Sequence, residues 1–459
     1  MSRLRLEVLT AAIFVLAWTQ SSALERNHES GILPIEPPTP YIRYFGHDSP
    51  IGRVLVVHGL DVNKEVMRPI SAALADGGFE VYSIELPGHG DSTAPFRTDL
   101  AQQAIRSAKT FLSDKTIVLG HSMGAGLLLD LAATEPFSTM VLLSPPPLSL
   151  GEIHADRVLI ATGDIDIPRI RNFVAIAADI GNPKVEAWTL PWGGHSAPIF
   201  NPTYVRRVVQ WLGGDGSKTR TAARLFWIAV MLASAVIFGV LLLPGEHLAP
   251  AESNIAAIVV RYVASASLAL LVLKIVNPLR WLGLFATDYL ISFVLVTGLV
   301  LLAAVSKTTK LQRHKGGMVT AIASAAFVIA VPGLIVLSRI MHMSLSGGRW
   351  WRFPCIVLAG LPLFISDELT IRRIHPRWKS EAIALLTRGL FLAFLLTGVL
   401  TFDRESAFLV LIVPLIVTFW IALWFATGVV HRRTQSALAA AIFASIVQGW
   451  AFAAWFVTI

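Results

Sequence analysis

Apolar residues are distributed in two regimes along the chain. From about residue 25 to 220, short apolar runs such as RVLVV (53–57), MVLL (140–143) and RVLIA (157–161) alternate with polar stretches containing Gly and Pro. From 225 to 459 the runs lengthen to roughly 20 residues, the length that crosses the hydrocarbon core of a bilayer. In the first regime strand-like runs alternate with helical patterns. RVLVVHGL precedes a helix over 66–75, FEVYSIEL precedes one over 100–112, and TIVLG runs into GAGLLLDLAA. That alternation predicts an α/β fold with parallel pairing.

In the second regime eight spans are expected, at 225–243, 255–275, 284–305, 318–338, 353–366, 382–401, 407–429 and 437–459, the fifth short and interrupted by Pro362. This half reads as an all-α polytopic membrane domain. The N-terminus has the order of a secretory signal: MSRLR, an apolar run over 8–18, then TQSSAL with Ser21 and Ala23 as small residues before a cut. An uncleaved anchor has the same order, and either one places the α/β domain outside the cytoplasm. The expected organisation is a signal peptide or anchor at 1–24, an α/β domain at 25–213, a polar linker at 214–224 and the membrane domain at 225–459.

Composition agrees: 54% of residues are hydrophobic, too many for soluble domains alone. The net charge of +8 does not point to nucleic acid. Much of the excess lies between spans, at Lys307, Lys310, Arg313 and Lys315, as the positive-inside rule predicts for cytoplasmic loops. The loops 306–317, 367–380 and 431–433 then face the cytoplasm, while Lys218, Arg220, Arg224, Arg349 and Arg352 run against that bias. Cys355 is the single cysteine, which excludes an intrachain disulfide and a cysteine metal cluster. Arg261, Asp288, Asp367, Glu368 and Arg388 fall in or near spans. They read as a polar cavity with Arg261 paired to Asp288, or as snorkelling side chains with one structural pair; the second reading is preferred.

Chemistry is concentrated at Gly120-His121-Ser122-Met123-Gly124, between an apolar strand and a helix. A strand-to-helix turn this sharp strains the serine backbone and requires small residues two before and two after it. The serine hydroxyl then stands exposed above a helix N-terminus, whose N–H groups and partial positive charge suit a developing oxyanion. No set of His, Asp and Glu has metal-ligand spacing, and neither a metal nor a cofactor is expected.

Together with VVHGLD, ELPGHGDS, RVLIATGDIDIP and PWGGHSAP, GHSMG resembles the α/β-hydrolase superfamily, in particular its lysophospholipase-like and monoacylglycerol-lipase-like serine hydrolases. The resemblance covers about residues 50–213. It implies Ser122 as nucleophile, His195 as general base and Asp166 as the acid that orients it, in the chain order of that superfamily. Asp164 is read as a turn residue bonded to its own backbone. Backbone N–H groups of Leu60 and Met123 are the implied oxyanion donors. His58 and His89 read as loop-packing residues, and His121 as pointing beside the site.

Between 143 and 157 only PPPLSLGEIHAD intervenes where larger relatives carry a lid, so the catalytic face should be open, with residues 145–153 and Trp192 as its apolar rim. The expected activity is hydrolysis of carboxylic esters, lipid-like acyl esters first. Acyl transfer, thioester or peptide cleavage by the same residues is the enzymatic alternative; a transporter or scaffold with a hydrolase-like sensor is the non-enzymatic one. Membrane lipids and a small-molecule or lipid ester are the expected partners. Oligomeric state is not legible.

Overall fold

The computed structural model describes all residues except 1, 26, 47–48, 114, 148–152, 180–181, 249–253 and 307–314. The expected cytoplasmic loop at 306–317 and part of the expected rim therefore lie largely outside the described residues. The chain gathers into two compact units. One comprises 12–234, 335–347 and 457–459; the other comprises 1–11, 235–334 and 348–456.

The first unit is built on an eight-stranded sheet: β1 (His28–Leu33), β2 (Thr39–Tyr44), β3 (Arg53–Val57), β4 (Glu80–Ile84), β5 (Ile117–His121), β6 (Phe137–Leu143), β7 (Ala155–Gly163) and β8 (Val185–Leu190). The spatial order is β1-β2-β4-β3-β5-β6-β7-β8. β1 and β2 pair antiparallel, as do β2 and β4, and the remaining pairs are parallel. The α/β expectation is borne out, and the strand chemistry explains it. Successive side chains of β3 enter opposite cores: Leu55 and Val57 pack with Val118, Leu128 and Ile160, whereas Val54 and Val56 pack with Ile70, Leu119 and Val208. A strand covered on both faces must be apolar throughout rather than alternating, as RVLVV is.

Parallel strands bring their carboxyl ends to one edge of the sheet. That edge carries the turns after β3, β5, β6, β7 and β8, where ligands bind in open α/β sheets.

In the second unit, helices such as Ile255–Ile275, Thr287–Ser306, Arg352–Thr370 and Ala437–Trp455 are long and apolar. Among the described residues of the whole chain, nine helices have the length and composition to cross a membrane, Arg3–Leu24 included. Small residues allow close helix contact: a Cβ on Gly298 would lie 2.5 Å from Leu363 N, and one on Gly449 2.5 Å from Val357 Cγ2.

Three expectations for this half change. The fifth span runs over Arg352–Thr370 despite Pro362, since flanking helical turns absorb one missing donor. The fourth passes into a π-helical stretch, Ile329–Val336, at Pro332, whose ring cannot serve the regular ladder; residues 335–347 then leave for the sheet-containing unit. The last helix ends at Trp455, and 457–459 do the same.

Arg261 and Asp288 form no ion pair with each other among the described residues. Instead Asp367 bonds Arg388 and the Tyr262 hydroxyl, while Glu368 lies 3.1 Å from Arg372 and 2.6 Å from His431 Nδ1. Each buried carboxylate thus has a cationic or hydrogen-bonding partner, as burial demands.

Candidate active site

Ser122 sits between β5 and the helix Met123–Ala132 with φ 51° and ψ −119°, a backbone region that a residue other than Gly rarely occupies. The flanking glycines are required by contact with backbone. A Cβ on Gly120 would lie 2.6 Å from Ala125 N, and one on Gly124 2.5 Å from His58 O. The second contact presses the helix start against the end of β3. Gly59 completes it, since a Cβ there would be 3.0 Å from Ser122 Cβ. The turn carrying Leu60 therefore lies directly beside the serine.

His195 follows β8 and places Nε2 2.9 Å from Ser122 Oγ. Its Nδ1 is 3.0 Å from both carboxylate oxygens of Asp166. Asp166, in the turn after β7, also accepts from Thr162 Oγ1 at 2.7 Å and from the Ile167 amide at 2.7 Å. Burial pushes the Asp166 carboxyl up, but the hydrogen bonds from His195, Thr162 and Ile167 outweigh it and hold the group below its ordinary value. The three residues therefore form one hydrogen-bonded line, with an anion at its buried end.

Asp164 differs from its expected role. Its carboxylate accepts from the Gly193 amide at 3.0 Å rather than from its own turn, and so fastens the loop that carries His195. His58 bonds the Gly59 carbonyl at 2.7 Å and accepts from the Leu86 amide at 3.0 Å; its ring lies 4.7 Å from that of His89. Both rings pack the turns at the sheet edge.

Two residues hold His195 from behind: Ser144, which the sequence did not single out, and His121 of the serine turn, which was read as pointing beside the site. Ser144 Oγ donates to the His195 carbonyl at 2.8 Å. His121 Nε2 lies 3.2 Å from the same oxygen and donates to it as the Nε2–H tautomer. Burial, and next the neighbouring His195 ring, push the His121 imidazole down to about 3, so it is neutral at physiological pH. Residue type alone could not reveal either contact, which joins positions 51 and 74 apart in sequence.

Trp192 is 89% exposed with φ 56°, in the loop preceding His195. A cavity of about 540 Å³ lies elsewhere in this unit, bordered by Glu25, Tyr44, Arg68, Asp76 and Arg224 and by none of Ser122, Asp166 and His195. The hydrogen-bonded line of Ser122, His195 and Asp166 lies apart from this cavity. Glu65, Glu85, Asp91 and His342 cluster as metal ligands can, but the Lys64 ammonium sits among the carboxylates, 3.0, 2.7 and 2.6 Å from Glu65, Glu85 and Asp91. That ammonium supplies the positive charge a cation would bring.

Residues 54–251 match the model of the alpha/beta hydrolase family. The sheet-containing unit carries an alpha/beta hydrolase domain. Among curated proteins, a putative non-heme haloperoxidase of Mycobacterium phage D29 is 27% identical over 111 residues, which cover 23% of this chain and 39% of that protein. The chain thus spans about two-fifths of the length of that relative. Among solved structures, a carboxylesterase from Bacillus subtilis is 15% identical, covering 44% of this chain and 98% of that one, with a TM-score of 0.35. A monoacylglycerol lipase from Paleococcus ferrophilus is 18% identical, covering 39% and 98%, with a TM-score of 0.32. In the alpha/beta hydrolase domain of this chain, the parallel strands deliver the serine, carboxylate and imidazole from the ends of β5, β7 and β8.

Proposed function

We propose that this chain is a membrane-bound serine hydrolase that cleaves carboxylic esters, lipid-like acyl esters first, through an acyl-enzyme on Ser122. The observation that carries the reading is the hydrogen-bonded line from Ser122 Oγ through His195 to Asp166. His195 Nε2 takes the hydroxyl proton as Ser122 Oγ attacks the carbonyl carbon, and Asp166 stabilises the imidazolium that forms. The tetrahedral oxyanion is held by the backbone N–H groups of Met123 and Leu60. The imidazolium then protonates the departing alcohol. Water, activated by the same imidazole, attacks the acyl-enzyme and releases the acid.

Nine helices among the described residues are long and apolar enough to cross a membrane, and this supports a domain beside lipid and acyl esters as the substrate class. We place the hydrolase domain at about 25–213, outside the cytoplasm, with the N-terminal helix retained as an anchor. Arg339 supports retention, since its guanidinium bonds Ser21, Ser22 and Glu25 at 3.0–3.1 Å. An intact mass lacking residues 1–24 would overturn the anchor.

The test of the activity is covalent labelling of the full-length protein by a fluorophosphonate. The folded wild type should be labelled and Ser122→Ala should not. Folded wild type that resists labelling overturns the enzyme reading. Turnover across esters of increasing acyl length then tests the substrate class.

A further inference from the structure

Residues 457–459 leave the last long helix and join the hydrolase domain at the turn beside Ser122. The Val457 amide donates to Asp61 Oδ1 at 3.1 Å. Thr458 adds a strand-like rung: its amide donates to the Gly88 carbonyl at 2.9 Å, and its own carbonyl accepts from the Phe96 amide at 2.9 Å. Gly88, at φ +77°, is fitted to this neighbour, because a Cβ there would lie 2.6 Å from Thr458 O. Val457 is fully buried and Thr458 nearly so.

Asp61 is the residue after Leu60, is 3% exposed and holds φ 51°. Asp tolerates that conformation better than most residues, but it is still disfavoured and persists where surrounding contacts enforce it. The next residues of the same turn are fastened as well. The Lys64 ammonium bonds Asp91, and Asp91 accepts from Ser346 Oγ at 2.8 Å, within the other segment that joins this unit, 335–347.

We propose that Asp61 is a positioning residue and that Val457–Ile459 act as a strap that holds the Leu60 turn in the shape needed for oxyanion binding. This rests on the serine hydrolase reading above. An oxyanion donor acts over a narrow range of position, and a displacement of about 1 Å can cost about 100-fold in rate. The strap acts on the transition state, through the Leu60 N–H.

The experiment uses the full-length protein in detergent, a short-chain nitrophenyl ester as substrate and a fluorophosphonate as label. Asp61→Ala removes the acceptor, Asp61→Asn keeps one, and Thr458→Pro removes the amide bonded to Gly88. Asp61→Ala and Thr458→Pro should each lower kcat about 10- to 100-fold with KM within about twofold, and slow labelling in parallel. Asp61→Asn should stay near wild type, and the double variant should be no slower than the slower single one.

Wild-type kcat in both Asp61→Ala and Thr458→Pro, with Ser122 labelled normally, overturns the strap and leaves the hydrolase reading standing. A rise in KM alone, or Asp61→Asn as slow as Asp61→Ala, also overturns it. Should Asp61→Ala fail to fold, Thr458→Pro decides by the same criteria. A wild type that is neither labelled nor active removes the hydrolase reading and the strap with it.

Discussion

Ser144 Oγ lies 2.8 Å from the His195 carbonyl and 3.2 Å from Thr162 Oγ1, and Thr162 in turn donates to Asp166. The ends of β6 and β7 are thus joined to the imidazole through its backbone and to the carboxylate through its side chain. Ser144 itself has φ 47°, which aims its hydroxyl across the sheet edge. Ser144→Ala should lower kcat by about fivefold, the equivalent of one net hydrogen bond of about 1 kcal/mol expressed at the transition state. Steady-state ester hydrolysis at saturating substrate checks this; an unchanged kcat would mean that His121 alone holds the ring.

A second prediction concerns close approach rather than hydrogen bonding. Gly163 ends β7, and a Cβ there would lie 1.9 Å from the Gly193 carbonyl oxygen and 2.3 Å from its carbon. No side-chain rotation relieves a clash with backbone, so Gly163→Ala must separate the turn of Asp166 from the loop of His195. The variant should lose about 100-fold or more in kcat/KM and about 1–3 kcal/mol in stability. Activity and thermal unfolding of the same preparation check both. A variant that melts lower but keeps full activity would mean the loops shift together.

These contacts show what a sequence can and cannot reveal. The α/β alternation was legible because a buried parallel strand must be apolar on both faces, as at Val54–Val57. The serine turn was legible because backbone crowding dictates glycine at 120 and 124. The contacts of Ser144 and His121 with the His195 carbonyl were not, since a serine or histidine at a strand end has many ordinary roles and each contact is made far along the chain. Asp164 was misplaced for the same reason: an Asp near a Gly satisfies a local turn rule, yet its partner here is Gly193. The pairing imagined between Arg261 and Asp288 failed because hydropathy reports the length of a span and not which spans are neighbours. It likewise could not show that 335–347 and 457–459 join the sheet-containing unit, although Pro332 was a visible signal for the first.

The pH dependence of stability gives the last prediction, through His121. Its imidazole is buried and pushed down to about 3, whereas in the unfolded chain it titrates at an ordinary value of about 6.5. Between those values the unfolded chain binds a proton that the folded one refuses, so stability must fall as pH falls through this window. Above pH ~6.5 both states are neutral and this group contributes no slope. Within the window it contributes up to about 1.4 kcal/mol per pH unit. Asp166 adds a separate slope at lower pH: its carboxyl is held below the ordinary value of about 4, so its stabilisation is full above that value and is lost as pH falls through the lowered one. The two can therefore be separated between about pH 6.5 and 4.5, where of this pair only the histidine contributes. His121→Gln, which keeps an amide donor for the His195 carbonyl but does not titrate, should flatten the fall in melting temperature over that range. Melting curves of the full-length protein and the variant that decline in parallel from neutral pH would contradict a neutral, buried His121.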